Sequence, residues 1–336
     1  VKLTSKVRKT LDIAIRLLIA TMALSYIFYR IYNLPQGQLG AFANSVLAGK
    51  GVVYTAAALL LLMVINWGIE SVKWRMLIRQ SEEISMGKAY QAVLGGLAVS
   101  VFTPNRVGEF IGRVFILQKT DPVKAILLTL VGSFSQLLVT VVAGTAAYVV
   151  FAPKYLSLML FDSTWLVSGI SIAMALLSLF MIFIFFNIPV LHRISILLPE
   201  KYSERIKNSI DAIAGCSKQL LLKTVLLSAL RYLVFSTQFF MAIRLMGLHF
   251  TAQECLLAIP VLYLMLMAIP TVALTEIGVR GSVSVFIFGL MAGPRGLDSS
   301  GMLAIISAST LIWFLNIALP SLAGVLVVFR LKFFRR

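Results

Sequence analysis

Residues Ala89 to Leu117 read AYQAVLGGLAVSVFTPNRVGEFIGRVFIL. Two apolar stretches, Ala89 to Thr103 and Val107 to Leu117, flank the turn Thr103-Pro104-Asn105-Arg106-Val107-Gly108-Glu109. A helix needs about 20 apolar residues to cross the hydrocarbon of a bilayer, and neither stretch is that long. Pro104 lacks an N–H and disfavours helix at Thr103, while Gly108 permits close backbone approach. The pattern predicts a broken hairpin whose second half-helix starts near Asn105. The first N–H groups of that half-helix, with Arg106, suit an anion, and Glu109 sits one turn further in.

The same ingredients recur later. Cys255 to Pro270 and Ile277 to Met291 are again short, and the turn between them runs from Pro270 to Gly281. It offers a proline break, a hydroxyl suited to capping (Thr275), Glu276, Gly278 and Arg280. Glu276 and Arg280 are four apart and share a helix face.

Around these hairpins lie six stretches long enough to span: Ile13 to Tyr32, Val52 to Val72, Ala125 to Phe151, Trp165 to Asn187, Leu221 to Met246 and Met302 to Phe329. The expected fold is all-α. It is a polytopic helical membrane protein with six full spans and two broken or re-entrant hairpins, eight to ten membrane segments in one transmembrane domain over 1–336. Short paired segments fit half-helices or tilted spans alike.

Composition agrees. Of 336 residues 60% are hydrophobic and 13% charged, with mean hydropathy +0.95. A soluble domain carries about 25% charged residues, so a soluble enzyme, a disordered chain and a nucleic-acid-binding domain are excluded. The net charge of +17 is read as basic loops facing anionic lipid. With the N-terminus inside, inner segments hold 21 of the 30 Lys and Arg and outer segments three, with six inside hydrophobic stretches. That bias places both termini in the cytoplasm of a bacterial inner membrane. Cys216 and Cys255 lack metal-ligand spacing, and His192 and His249 are isolated, so no disulfide, metal or cofactor is implied. The first span shows no small-residue cleavage site and reads as retained.

Residues 52–151 and 221–329 share one layout: span, broken hairpin, span. The units enter the membrane from opposite sides, and Glu109 and Glu276 stand 57 and 55 residues from their starts. This is the layout of an inverted-topology repeat, whose broken helices form transport sites. Residues 188–220 between them read as a cytoplasmic insert, either an interfacial helix or a solvated connector.

Ionisable groups deep in a membrane are costly and point to function. The candidates at the hairpins are Asn105, Arg106, Glu109, Arg113, Thr275, Glu276 and Arg280. Ion pairs of Arg106 with Glu109 and of Glu276 with Arg280 would equally serve to hold the broken helices. Arg231, three turns into its span, is a further pathway candidate, whereas Arg16, Arg30 and Arg244 lie near span ends. In Asn66-Trp67-Gly68-Ile69-Glu70-Ser71-Val72-Lys73-Trp74-Arg75, Trp67 and Trp74 suit an aromatic belt. Lys73 and Arg75 suit headgroup phosphate at the inner leaflet. The small-residue faces at Gly132, Ser133, Ser135, Gly144, Ser307 and Ser309 can pack helices within one chain or between two copies in a homodimer.

At these hairpins the sequence resembles the lysylphosphatidylglycerol synthase transmembrane-region family, flippase-like integral membrane proteins. That family's first motif, approximately P-x-R-x-G-E-x-x-R, is matched by Pro104, Arg106, Gly108, Glu109 and, one residue late, Arg113. Its Arg-Trp is matched by Lys73-Trp74-Arg75. Its later motif, approximately P-x(4)-G-G-x-G-V-R-E, is matched by Pro270, Gly278, Val279 and Arg280. Thr275-Glu276 stand in place of Gly-Gly, and Gly281 in place of Glu. Gly132 to Gln136 lack the charges the family often shows in the next span. These departures mark a divergent branch. The sequence runs to Arg336 without the soluble aminoacyl-transferase domain of full-type synthases, so the expectation is the translocating half alone. No Walker A, HExxH or GxSxG sequence is present. The resemblance implies a non-enzymatic translocator of an anionic phospholipid or phosphate-bearing lipid-linked intermediate. A small-anion transporter is the alternative, followed by a lipid-phosphate enzyme using Glu109.

Overall fold

The computed structural model describes residues 51–100, 103, 106–156, 164–188, 213–271, 273–293 and 296–330. The first expected span, Pro104, Asn105 and most of the 188–220 insert lie outside the described residues. Within them the chain is all-helical, in nine continuous helices. These are α1 (Val52–Ile78), α2 (Met86–Ser100), α3 (Gly108–Val114), α4 (Pro122–Phe151, running on as a π turn Ala152–Leu156), α5 (Thr164–Phe186), α6 (Lys218–Leu245), α7 (Ala252–Ala268), α8 (Ala273–Met291) and α9 (Ser299–Trp313, a π turn Phe314–Ala318, then Leu319–Arg330). Five of them, α1, α4, α5, α6 and α9, are long and apolar enough to cross a membrane.

Several helices start before their apolar stretches because a polar residue caps them. Asp121 accepts from Val123 N at 2.8 Å, with Pro122 at the first helical position. Ser217 caps α6, Asp298 caps α9, and Thr251 with Glu254 forms a reciprocal capping box on α7. The hairpins differ in depth. At 1.5 Å per residue, α2 (15 residues) and α3 (7 residues) reach only ~22 and ~10 Å, so the first hairpin is of re-entrant length. In the second, α7 has 17 residues and α8 has 19, about 26 and 28 Å, close to a full crossing.

The packing follows a paired pattern. α1 packs on α6, α4 on α7, and the last part of α9 on α2. Two apolar clusters result. One gathers the second half of α1 with α2 and the start of α4; the other gathers α7, α8, α9 and the ends of α4 and α6. The small residues are used within the chain: Gly132 lies against Leu77, Gly144 against Leu264, and Ser135 and Ser309 are buried. Trp67 and Trp74 are 3% and 1% exposed, so they belong to the interior and not to an aromatic belt. Trp74 donates to Thr129 Oγ1 at 2.9 Å.

The first hairpin closes by backbone contact. A Cβ on Gly112 would stand 2.6 Å from the Gly96 Cα and 3.0 Å from the Gly95 carbonyl oxygen. At the base of the hairpin, Arg75 is exposed and donates to Ile84 O at 2.8 Å. Glu82, in the loop between α1 and α2, accepts the N–H groups of Gln118, Lys119 and Thr120 at 3.0, 2.7 and 3.0 Å. Partial burial works against its ionisation, but those N–H groups outweigh it and hold the carboxyl below its ordinary range.

Two outcomes follow for the purified protein in detergent. Gly112→Ala is expected to destabilise by about 1–3 kcal/mol through overpacking, whereas Gly87→Ala, with open space around it, is neutral or slightly stabilising. Thermal unfolding of the two variants compares them directly. A carboxyl with a depressed folded-state pKa contributes stability above its unfolded value, about 4.3, and loses it as pH falls through the folded value. Glu82→Gln should therefore lower Tm at neutral pH and flatten the fall of Tm below about pH 5; an unchanged Tm–pH curve would remove the clamp from the account.

Candidate functional site

Asn66, Glu70 and Lys73 recur at helical spacing on one face of α1, and all three are buried. Glu70 gathers three cations from three helices. Lys73 Nζ lies 2.8 Å from its Oε2, Arg231 Nη1 from α6 lies 3.1 Å from the same oxygen, and Arg113 Nη2 from α3 lies 3.0 Å from Oε1. Lys73 also donates to Gly132 O at 3.1 Å and to Ser228 Oγ at 3.2 Å, and Ser228 meets Ser135 Oγ at 2.7 Å. Arg231 Nε donates to Asn66 Oδ1 at 3.0 Å, and its guanidinium stands 4.8 Å from the centre of the Trp67 ring. Asn66 Nδ2 donates in turn to Asn316 Oδ1 at 2.8 Å. Asn316 sits in the π turn of α9, the kind of helix irregularity that re-aims side chains at sites.

A second group joins the hairpin tips. Arg106 Nη2 donates to both carboxylate oxygens of Glu276 at 2.8 Å, and Arg280 Nε donates to Glu276 Oε1 at 2.8 Å. Arg106 adopts φ 59°, left-handed backbone that is costly for a residue with a side chain. The pair with Glu276 crosses 170 positions of chain and holds the tip of the first hairpin against the start of α8.

Between the two groups lies a cavity of about 380 Å³. Its charged lining is Lys73, Arg106, Arg231, Arg280, Glu70 and Glu109. That is a formal charge of +2, and Arg113 and Glu276 behind the wall leave it unchanged. Trp67 Nε1, Trp313 Nε1 and both ends of the Gln136 amide are buried and meet no protein partner, and all three residues line this cavity. An unpaired buried polar group costs about 1–3 kcal/mol, so such a wall fits a polar occupant. Among the described residues no three His, Cys, Asp or Glu side chains stand together as metal ligands.

The structure revises several sequence expectations. Glu109 pairs with Arg113 on its own helix, and Arg106 pairs across the hairpins with Glu276 instead of with Glu109. The α-helical part of the second half-helix starts at Gly108, and the Gly108 N–H is taken by Thr103 Oγ1 at 2.8 Å, so it is not a free anion donor. Lys73 is 1% exposed and is held in the network by Glu70. Arg75 remains outside the cavity. Thr275 is the third residue of α8 and not its cap; its side chain, like Asn105, lies outside the described residues. Sequence reading passed over Glu70, Asn66, Gln136 and Asn316. The repeat of Asn66, Glu70 and Lys73 every three to four residues was the available signal.

Over residues 13–324 the sequence matches the family described as lysylphosphatidylglycerol synthase TM region. The chain belongs to that family. Searches among curated proteins and among solved structures find no match. Membership and the long apolar helices make it an integral membrane protein of a family concerned with lipid-related processes. Within this lysylphosphatidylglycerol synthase TM-region member, Glu276 is the ion-pair partner of Arg106 from the first motif.

Glu70 is expected to dominate the stability of the site. Removing its charge leaves Lys73 and Arg231 without a carboxylate partner and Arg113 with Glu109 alone, and breaking a buried pair costs about 3–5 kcal/mol. Glu70→Gln should lose stability on that scale. The double variant Glu70→Gln/Lys73→Met should lose less than the sum of the singles, by about 0.5–3 kcal/mol. A thermal double-mutant cycle reads both numbers, and strict additivity would mean that the two side chains are not coupled.

Proposed function

We propose that the chain is a flippase-like translocator of an anionic phospholipid or phosphate-bearing lipid-linked intermediate in the bacterial cytoplasmic membrane, with both termini cytoplasmic. The supporting observation is the +2 cavity between the two broken hairpins, with polar groups in its wall that no protein atom satisfies. A phosphate crossing hydrocarbon needs cations and hydrogen-bond donors near mid-membrane. Arg106 and Arg280 supply the exchangeable cations. Their side chains are 35% and 19% exposed, and each has Glu276 as an internal counterion that a headgroup phosphate joins. Arg231, which also lines the cavity, adds a third cation.

The reading treats residues 52–151 and 221–329 as inverted units. In support, each unit's last span packs on the other unit's first hairpin helix, and the two first spans pack on each other. The Arg106–Glu276 bridge then marks where the hairpin tips of the two units meet. No group in the wall is assigned a chemical step, so the cavity binds and releases.

Leaflet exchange of labelled anionic and zwitterionic phospholipids in proteoliposomes tests this reading. The wild type should exchange the anionic lipid faster. Arg106→Ala/Arg280→Ala should slow that exchange by about tenfold or more, the loss expected when charge-assisted hydrogen bonds worth ~1.5–3 kcal/mol are removed. Full exchange in the folded double variant would take the site away from these arginines. Absence of any lipid exchange by the wild type would favour a small-anion transporter.

A further inference from the structure

α4 changes character along one side. Ser133, Gln136 and Thr140 line the charged cavity, and from Val141 onward the helix lines a second cavity of about 520 Å³. This second space is walled by Val141, Thr145 and Tyr148 of α4, Leu177 of α5, Leu264 of α7 and Phe286 of α8, and its lining is apolar. The Thr145 hydroxyl is occupied by Ser178 Oγ at 3.1 Å, so it offers the space no free polar group. Met267, 41% exposed near the end of α7, borders both cavities.

We propose that the apolar cavity is the slot for an acyl chain of the lipid whose anionic headgroup occupies the charged cavity, with Met267 at the junction of head and tail. The inference rests on the translocator reading and adds to it the place where the tail of its lipid lies. Three features of the cavities select this occupant. The two cavities share a wall residue and succeed each other along α4. The lining runs from Val141 to Leu156, about 22 Å of helix, which exceeds the ~15 Å depth of one hydrocarbon leaflet. The head end carries net positive charge and the tail end carries none. Met suits the junction because its unbranched thioether adapts to a chain that enters and leaves. Leu177 and Phe286 are 51% and 41% exposed, so the slot is reached from the lipid-facing side of the helix bundle, as a lipid entering sideways requires.

The test uses the full chain in phosphatidylcholine vesicles. Phosphatidic acid bearing a photoreactive diazirine on one acyl chain is the probe, and phosphatidylcholine with the same chain is the control. Adducts are mapped by peptide mass spectrometry. Phosphatidic acid should label the wall segments 141–156, 174–177, 264–268 and 286–287 above the control. Ala268→Trp, which fills the slot from α7, should bring that labelling down to the control level. Met174→Trp, on α5 and away from the hairpin tip, should do the same if Ala268→Trp fails to fold. Equal labelling by the two lipids, or labelling unchanged in both folded variants, overturns the slot as a specific site. Dibutyryl phosphatidic acid should compete weakly with the long-chain probe, and equal competition also overturns the slot. Leaflet exchange is measured on the same preparations. If the slot fails while the wild type still exchanges anionic lipid, only the tail site falls; if exchange is absent as well, the translocator reading falls with it.

Discussion

One buried carboxylate organises the interior. Glu70 is surrounded by Lys73, Arg113 and Arg231, and its side chain is 4% exposed. An isolated ion in hydrocarbon is not tolerated, so each of these charges requires the others. Because they come from α1, α3 and α6, the electrostatic demand fixes how three helices approach. It also fixes an imbalance: three cations around one carboxylate leave excess positive charge, which Glu109 reduces at Arg113 only. The positive cavity beside the network is what remains after the internal pairs are made.

The hairpins solve a related problem of backbone. A break inside the membrane exposes N–H and C=O groups that need partners, and it survives only where protein or a polar cavity surrounds it. Here Thr103 satisfies Gly108 N–H, and Arg106 takes a left-handed backbone that aims its guanidinium at the other hairpin. Close packing of α2 on α3, through Gly96 and Gly112, supplies the contact that holds this strained turn. The first hairpin stays short because its charged tip ends at the cavity. The second runs nearly the full crossing, since beyond Arg280 α8 carries no charge through Met291.

What the sequence disclosed follows from what its patterns encode. Long apolar runs encode span length, so α1, α4, α5, α6 and α9 were legible to within a few residues. Their polar starts were misplaced because capping by Asp121, Ser217 and Asp298 extends a helix into sequence that hydropathy reads as loop. The hairpin breaks were legible from Pro104 and Pro270. Partner choice was not. Sequence proximity favours Arg106 with Glu109, yet the three-dimensional meeting of the tips gives Arg106 to Glu276. Trp67 and Trp74 read as belt residues because belts and cores use the same side chains. Only the fold shows α2, α4 and α6 covering that face of α1.

The cations of the site divide by exposure, and the division decides which of them can serve a ligand. Lys73 and Arg113 are 1% and 2% exposed and are committed to Glu70. Turning either one aside would break several buried contacts at once, Lys73 from Gly132 O and Ser228 Oγ and Arg113 from Glu109, so both stay in the network. Arg106 is 35% exposed, and Arg280 and Arg231 are 19% and 17% exposed. Because these guanidinium groups are partly open, an anion can join Glu276 around Arg106 and Arg280 without stripping that buried carboxylate of its partners. The proposed translocation needs weak, reversible binding, and two tiers of cations suit it: one fixes the shape of the cavity and the other faces into it.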